Sequence, residues 1–171
     1  MPFSNARQVE LFLNGRSLGL REAPRAGFAE WSVPYQPGRL LAKALSDGKT
    51  VATTELVTAG PAARIVLLPE RTTLRADDAD AIVVPVSILD ADGHIVPDAA
   101  NRVSFRLTGG GRVLGVGNGN PADHDPEKAD SCRTFHGHCI AVVQAGASPG
   151  TMLLTATSPG LASAEVSIDV R

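Results

Sequence analysis

Turn dipeptides that favour positive φ separate short apolar segments along this chain, and this punctuation leaves room for little except strands. Val9, Leu11 and Leu13 alternate with Glu10, Phe12 and Asn14, and the alternation runs into Asn14-Gly15, a strong short-range hairpin signal. Asp47-Gly48 and Asp92-Gly93 supply further turns. The pattern predicts further strands over 28–33, 39–46 and 50–58, closed by the breaker Ala59-Gly60-Pro61. A second series follows over 64–68, 81–89, 103–108, 112–116, 140–144, 151–157 and 164–170. The 17 glycines and 12 prolines agree with strands and turns, and no long amphipathic helix can be read. The expected fold class is all-β, as two tandem immunoglobulin-like β-sandwich domains. Residues 62–171 have the size and strand number of a complete sandwich. Residues 1–60 hold too few strands for one and read as a partial, truncated sandwich, marginal without support from another segment or chain.

Charge and hydropathy remove several functions. A net charge of −2 with no basic block or aromatic-interleaved patch gives no footprint for nucleic acid. No apolar run is long enough to cross a bilayer, and the opening Met1-Pro2-Phe3-Ser4-Asn5-Ala6-Arg7 does not lead into a signal core, so no membrane association is expected.

The least strand-like stretch is Gly115-Val116-Gly117-Asn118-Gly119-Asn120-Pro121, followed by Ala122-Asp123-His124-Asp125-Pro126-Glu127-Lys128-Ala129. Its glycines and asparagines tolerate left-handed backbone and its prolines remove donors, so it reads as a structured loop between strands. An apolar pattern resumes from Cys132 and runs to Gln144. The loop lacks the Lys-Ser/Thr ending of a phosphate cradle and opens no helix. Asp77, Asp78 and Asp80 read as a solvated loop before the Ile82 strand, and Asp90-Ala91-Asp92-Gly93 as a hairpin turn rather than a calcium loop. No Gly-x-Ser-x-Gly elbow is present, and Ser131 has no orienting partner for nucleophilic catalysis.

Cys132, His136, His138 and Cys139, with His124 upstream, crowd zinc-ligand types into one segment. An extended chain from Phe135 would put His136 and His138 on one face and Cys139 on the other, so a cage would need a break in the strand. No metal site and no cofactor are therefore expected. A Cys132–Cys139 disulfide stays open, since spacing alone does not fix its geometry. Sugar binding has Trp31 and Tyr35 as its aromatic candidates, with Asn118, Asn120, Asp123 and His124 as polar ones. Trp31 also reads as the buried anchor of the first sandwich.

Several of these stretches together resemble a known family. Val9-Glu10-Leu11-Phe12-Leu13-Asn14-Gly15-Arg16-Ser17-Leu18-Gly19, Trp31-Ser32-Val33-Pro34-Tyr35-Gln36-Pro37-Gly38 and Thr58-Ala59-Gly60 resemble a β-sandwich domain that follows the barrel in bacterial β-galactosidases of glycoside hydrolase family 2. Asp90-Ala91-Asp92-Gly93, Val96-Pro97-Asp98-Ala99, Val103-Ser104-Phe105, the 117–121 loop and Phe135-His136-Gly137 resemble the domain after it. The resemblance implies retaining hydrolysis by two glutamates on a (β/α)₈ barrel, and no barrel can be read here. No catalytic residue is carried over, so the chain itself is expected to be non-catalytic. It implies instead an accessory region partnered by the parent enzyme's catalytic domain. Phe3, Leu20 and Phe28 would cover that domain, and Gly117, Asn118, Gly119, Asn120, Pro121, Asp123 and His124 would form a substrate-access or interface loop. A periplasmic or secreted setting goes with the resemblance. The alternative is a free-standing Ig-like module for adhesion or for galactose-containing glycans.

Overall fold

The computed structural model describes residues 4–24 and 27–171. Every regular element among them is a strand: β1 (Gln8–Leu13), β2 (Arg16–Glu22), β3 (Arg39–Ser46), β4 (Lys49–Val57), β5 (Arg64–Leu67), β6 (Thr73–Leu74), β7 (Ala81–Leu89), β8 (Arg102–Thr108), β9 (Gly111–Gly117), β10 (Ser131–Arg133), β11 (His138–Ala145), β12 (Gly150–Thr157) and β13 (Ala164–Val170). The all-β expectation holds. The chain divides into two compact units, Met1–Thr58 and Ala59–Arg171.

In the first unit the strands make one antiparallel sheet in the order β2-β1-β3-β4. Its two tight turns use the residues that tolerate left-handed backbone: Asn14 and Gly15 at φ 50 and 83, Asp47 and Gly48 at φ 51 and 76. Asn14 also works at longer range. Its Oδ1 accepts the Arg39 N–H at 2.8 Å and its Nδ2 donates to Pro37 O at 3.1 Å, which ties the first turn to the start of β3. Val9, Leu11, Ala23, Ala29 and Ala42 form the small core, with Leu18, Trp31, Val33 and Leu40 packed against it. The strand expected over 28–33 is absent; this segment contributes Ala29, Trp31 and Val33 to the core without joining the ladder. Pro24, Pro34 and Pro37 around it cannot donate to a neighbouring strand.

The second unit is a sandwich of a five-stranded sheet, β10-β8-β12-β13-β6, and a four-stranded sheet, β5-β7-β11-β9. Period-two burial builds its core: Ile82, Val84, Val86 and Ile88 from β7, Cys139, Ala141, Val143 and Ala145 from β11, Met152, Leu154 and Ala156 from β12, and Ile168 and Val170 from β13. Two short strands, β6 and β10, go beyond the sequence expectation. The apolar pattern from Cys132 to Gln144 is not one strand, because His136 and Gly137 turn at φ 51 and 77 and send β10 and β11 into different sheets. The loop is shorter than its composition suggests. Gly115, Val116 and Gly117 belong to β9, and the irregular stretch begins at Asn118.

Candidate functional site

β9 enters the loop through a close crossing. A Cβ at Gly115 would lie 2.7 Å from the Glu127 carbonyl oxygen, and the Val116 N–H donates to that same oxygen at 2.8 Å. Glycine is therefore required here by backbone approach, not by φ. The loop and the start of β10 enclose a cleft of about 300 Å³ lined by Gly117, Asn118, Asn120, Asp123, Asp125 and Cys132, among others.

Within the loop the polar side chains are bonded to one another. Asn118 Nδ2 donates to Asp123 Oδ2 and, at 2.8 Å, to Arg133 O; its Oδ1 accepts the Asn120 N–H at 2.9 Å. Asn120 Oδ1 accepts the Ala122 N–H at 3.0 Å, and Asp123 Oδ1 the Asp125 N–H at 3.0 Å. Three successive Asx-type turns thus hold the loop in shape. The Asp125 N–H, and after it the Asn118 amide, keep the Asp123 carboxyl below its usual range. Arg102 closes the far side, donating to Asp125 Oδ2 at 2.6 Å.

The structure thus brings Gly117, Asn118, Gly119, Asn120, Pro121 and Asp123 together around one cleft, whereas His124 is exposed and does not line it. Sequence reasoning missed Arg102. It also missed the internal bonding, although the spacing of Asn118, Asn120, Asp123 and Asp125 carries the signal of consecutive side-chain-to-backbone turns.

Trp31 and Tyr35 part company. Trp31 is half-buried against the core of the first sheet, with Arg21 5.5 Å from its ring centroid and its Nε1 buried without a hydrogen-bond partner. It is less deeply buried than a core anchor. Tyr35 is 79% exposed. Of the apolar residues suited to covering another domain, Leu20 and Phe28 are exposed, and Phe3 lies outside the described residues.

The zinc-type residues do not converge. His136 Nδ1 lies 3.1 Å from Pro97 O and His138 Nδ1 3.1 Å from Ser87 Oγ, while Cys132 and Cys139 turn into the core. Among the described residues the ligand types that do come together are Asp90, Asp92 and His94. They form the turn expected there, and Asp90 is committed to it. Its Oδ1 accepts the His94 N–H at 2.8 Å, and its Oδ2 accepts the Gly60 N–H at 2.7 Å, with His94 Nδ1 3.2 Å away. Asp80 is likewise no freely solvated acid. Arg71 grips it bidentately at 2.7 and 3.1 Å, and its side chain is 10% exposed.

Comparison with known proteins gives two family matches: Glycoside hydrolase family 2 C-terminal domain 5 over residues 65–167, and Domain of unknown function (DUF4982) over residues 1–52. Beta-galactosidase BoGH2A of Bacteroides ovatus is 40% identical over 167 residues, 97% of this chain and 20% of that protein. A putative beta-glucuronidase of Formosa agariphila is 32% identical over 152 residues, 86% of this chain and 15% of that protein. This chain thus spans a fifth or less of these relatives. Among solved structures, a glycosyl hydrolase family 2 member from Bacteroides cellulosilyticus superposes with a TM-score of 0.94 at 35% identity, over 99% of this chain and 22% of that one.

Proposed function

As the chain belongs to glycoside hydrolase family 2 through its C-terminal domain 5, we propose that it is the non-catalytic accessory region of a β-galactosidase-like hydrolase. It packs against the catalytic barrel, and the loop from Asn118 to Glu127 shapes access to the barrel's substrate. The observation that carries this reading is the internal bonding of that loop: Asn118 and Asp123 bond each other and the backbone. A rim held this way is a preformed surface, suited to docking and shaping rather than to gripping a sugar. Two of its acids, Asp123 and Asp125, are also unsuited to glycoside cleavage. A general acid needs a raised carboxyl pKa, and that of Asp123 is shifted down; Asp125 is paired with Arg102.

A chromogenic β-galactoside incubated with the purified chain should give no turnover. Robust turnover abolished by a point substitution within this chain would overturn the non-catalytic reading. In the hydrolase that carries this region, replacing residues 118–126 by a short Gly-Ser turn should change KM for oligosaccharides while sparing a small aryl galactoside. Equal kinetics on both substrates before and after the change would rule out the access role.

A second reading rests on Tyr35, whose 79% exposure leaves a ring free to stack on galactose-containing glycans. It predicts saturable heat in calorimetry that disappears in Tyr35→Ala. Absence of heat with every galactose-containing glycan tried would remove it.

A further inference from the structure

The two cysteines stand outside the reading above. Cys132 lies on β10 in the five-stranded sheet, opposite Val103 of β8, and Cys139 lies on β11 in the four-stranded sheet, opposite Val86 of β7. Both side chains enter the same core, at 5% and 3% exposure, and both are free thiols. The turn through His136 and Gly137 carries the chain from one sheet to the other, closed by the bridge between Phe135 and His138. A side chain at Gly137 would run into the Val96 carbonyl oxygen 2.5 Å away, so this crossing point is fixed. It places the two thiols in one core on strands joined by a single turn, where each perturbs the other's ionisation. His136 Nδ1 and His138 Nδ1 face Pro97 O and Ser87 Oγ, and among the described residues neither thiol belongs to a cluster of metal-ligand types.

We infer that Cys132 and Cys139 are a disulfide-forming pair that staples the two sheets of the second unit when the chain meets an external disulfide. The attacking sulfur is that of Cys132, which also lines the cleft beneath the Asn118 loop. Its thiolate attacks one sulfur of the external disulfide and expels the first thiol. Cys139, losing its proton, then attacks Cys132 Sγ and expels the second. Two protein thiols become one disulfide, and the external disulfide is reduced to two thiols. Burial raises both thiols, most strongly Cys139, where the neighbouring sulfur adds to the effect. Thiolate is therefore scarce in the folded chain, and the bond forms chiefly during folding.

The test is to refold the chain from urea in a glutathione redox buffer, beside a sample kept in dithiothreitol. The expected product is monomeric, lighter than the reduced chain by two hydrogens, yields a Cys132–Cys139 peptide pair on proteolysis, and melts higher than the reduced form by several degrees. Cys132→Ala should abolish both the mass change and the gain in Tm; because that substitution can itself weaken the core, the wild-type comparison of oxidised with reduced forms decides. Two titratable thiols after refolding, glutathione adducts, a disulfide-linked dimer, or an oxidised form that melts lower than the reduced one would each overturn the inference.

Discussion

The carboxylate of Asp90 accepts the backbone N–H of Gly60 at 2.7 Å, joining the hairpin turn after β7 to the segment in which the second unit begins. The two residues are 30 positions apart, and the Asp90 side chain is only 3% exposed. Replacing Asp90 by Asn sets an NH₂ group against one of the two backbone N–H groups it now serves, so a buried donor goes unsatisfied. Asp90→Asn should lower the Tm of the second unit by roughly 5 °C or more in calorimetry. The exposed neighbour Asp92 serves as the control, with Asp92→Asn expected within about 2 °C of wild type.

Acid should weaken the fold through the same residue. The Gly60 N–H, followed by the His94 backbone and side chain, holds the Asp90 carboxyl at about 2. An unfolded Asp titrates near ~3.9. Because the folded value is the lower one, this stabilisation is complete above about pH 4 and is lost as pH falls towards about 2. Asp80, bonded by Arg71, and Asp77 shift the same way. Urea midpoints measured at about pH 6, 4 and 2.5 should fall in that order, with a shallower fall in Asp90→Asn. Wild type and variant declining in parallel would contradict this role for Asp90.

Asn118→Ala should loosen the loop without melting the sandwich. It removes bonds to Asp123, to Arg133 O and from Asn120 N–H, a loss of about 1–3 kcal/mol. Hydrogen exchange should accelerate across residues 118–127, while amides of β7 and β12 keep their protection.

Gly115→Ala tests the crossing beneath the loop. The new Cβ would sit 2.7 Å from the Glu127 carbonyl oxygen, forcing apart the Val116–Glu127 hydrogen bond at a cost of about 1–3 kcal/mol. Gly119→Ala meets nothing within 4 Å and carries only the strain of φ 72, about 1 kcal/mol. Denaturant unfolding should rank Gly115→Ala as the more damaging; the reverse order would refute the crowding argument.

In the core, Met152 is fully buried, and Met152→Ala should cost about 2–5 kcal/mol in chemical denaturation. Val51 on β4 is 58% exposed, and Val51→Ala should stay within about 0.5 kcal/mol.

Much of this architecture was legible where a local signal and a burial period coincide. Asn14-Gly15 and Asp47-Gly48 turn as their residue types require, and β3, β7 and β13 fall on the expected residues. The segment 28–33 misled because Ala29, Trp31 and Val33 alternate like a strand while they pack from outside the ladder. The break at His136 was hidden because a histidine seldom adopts φ 51; only the following glycine hinted at a turn. Asp90 and Arg102 owe their roles to partners 30 and 23 residues away, a distance over which no spacing rule operates. The loop's composition marked it correctly as irregular, but not that its amides would be bonded internally.

The parallel pairing of Thr73 on β6 with Asp169 on β13 has a consequence for how the second unit comes into being. These partners are 96 residues apart, counted from 73 to 169, and β13 is an interior strand of its sheet, between β12 and β6. On the ribosome, the apolar faces of β8 and β12 are therefore synthesised before the strand that completes their sheet exists. Non-local closure of this kind is slow and leaves hydrophobic surface uncovered in the interval. Until β13 has been made, β12 keeps an open edge and β6 has no strand to pair with.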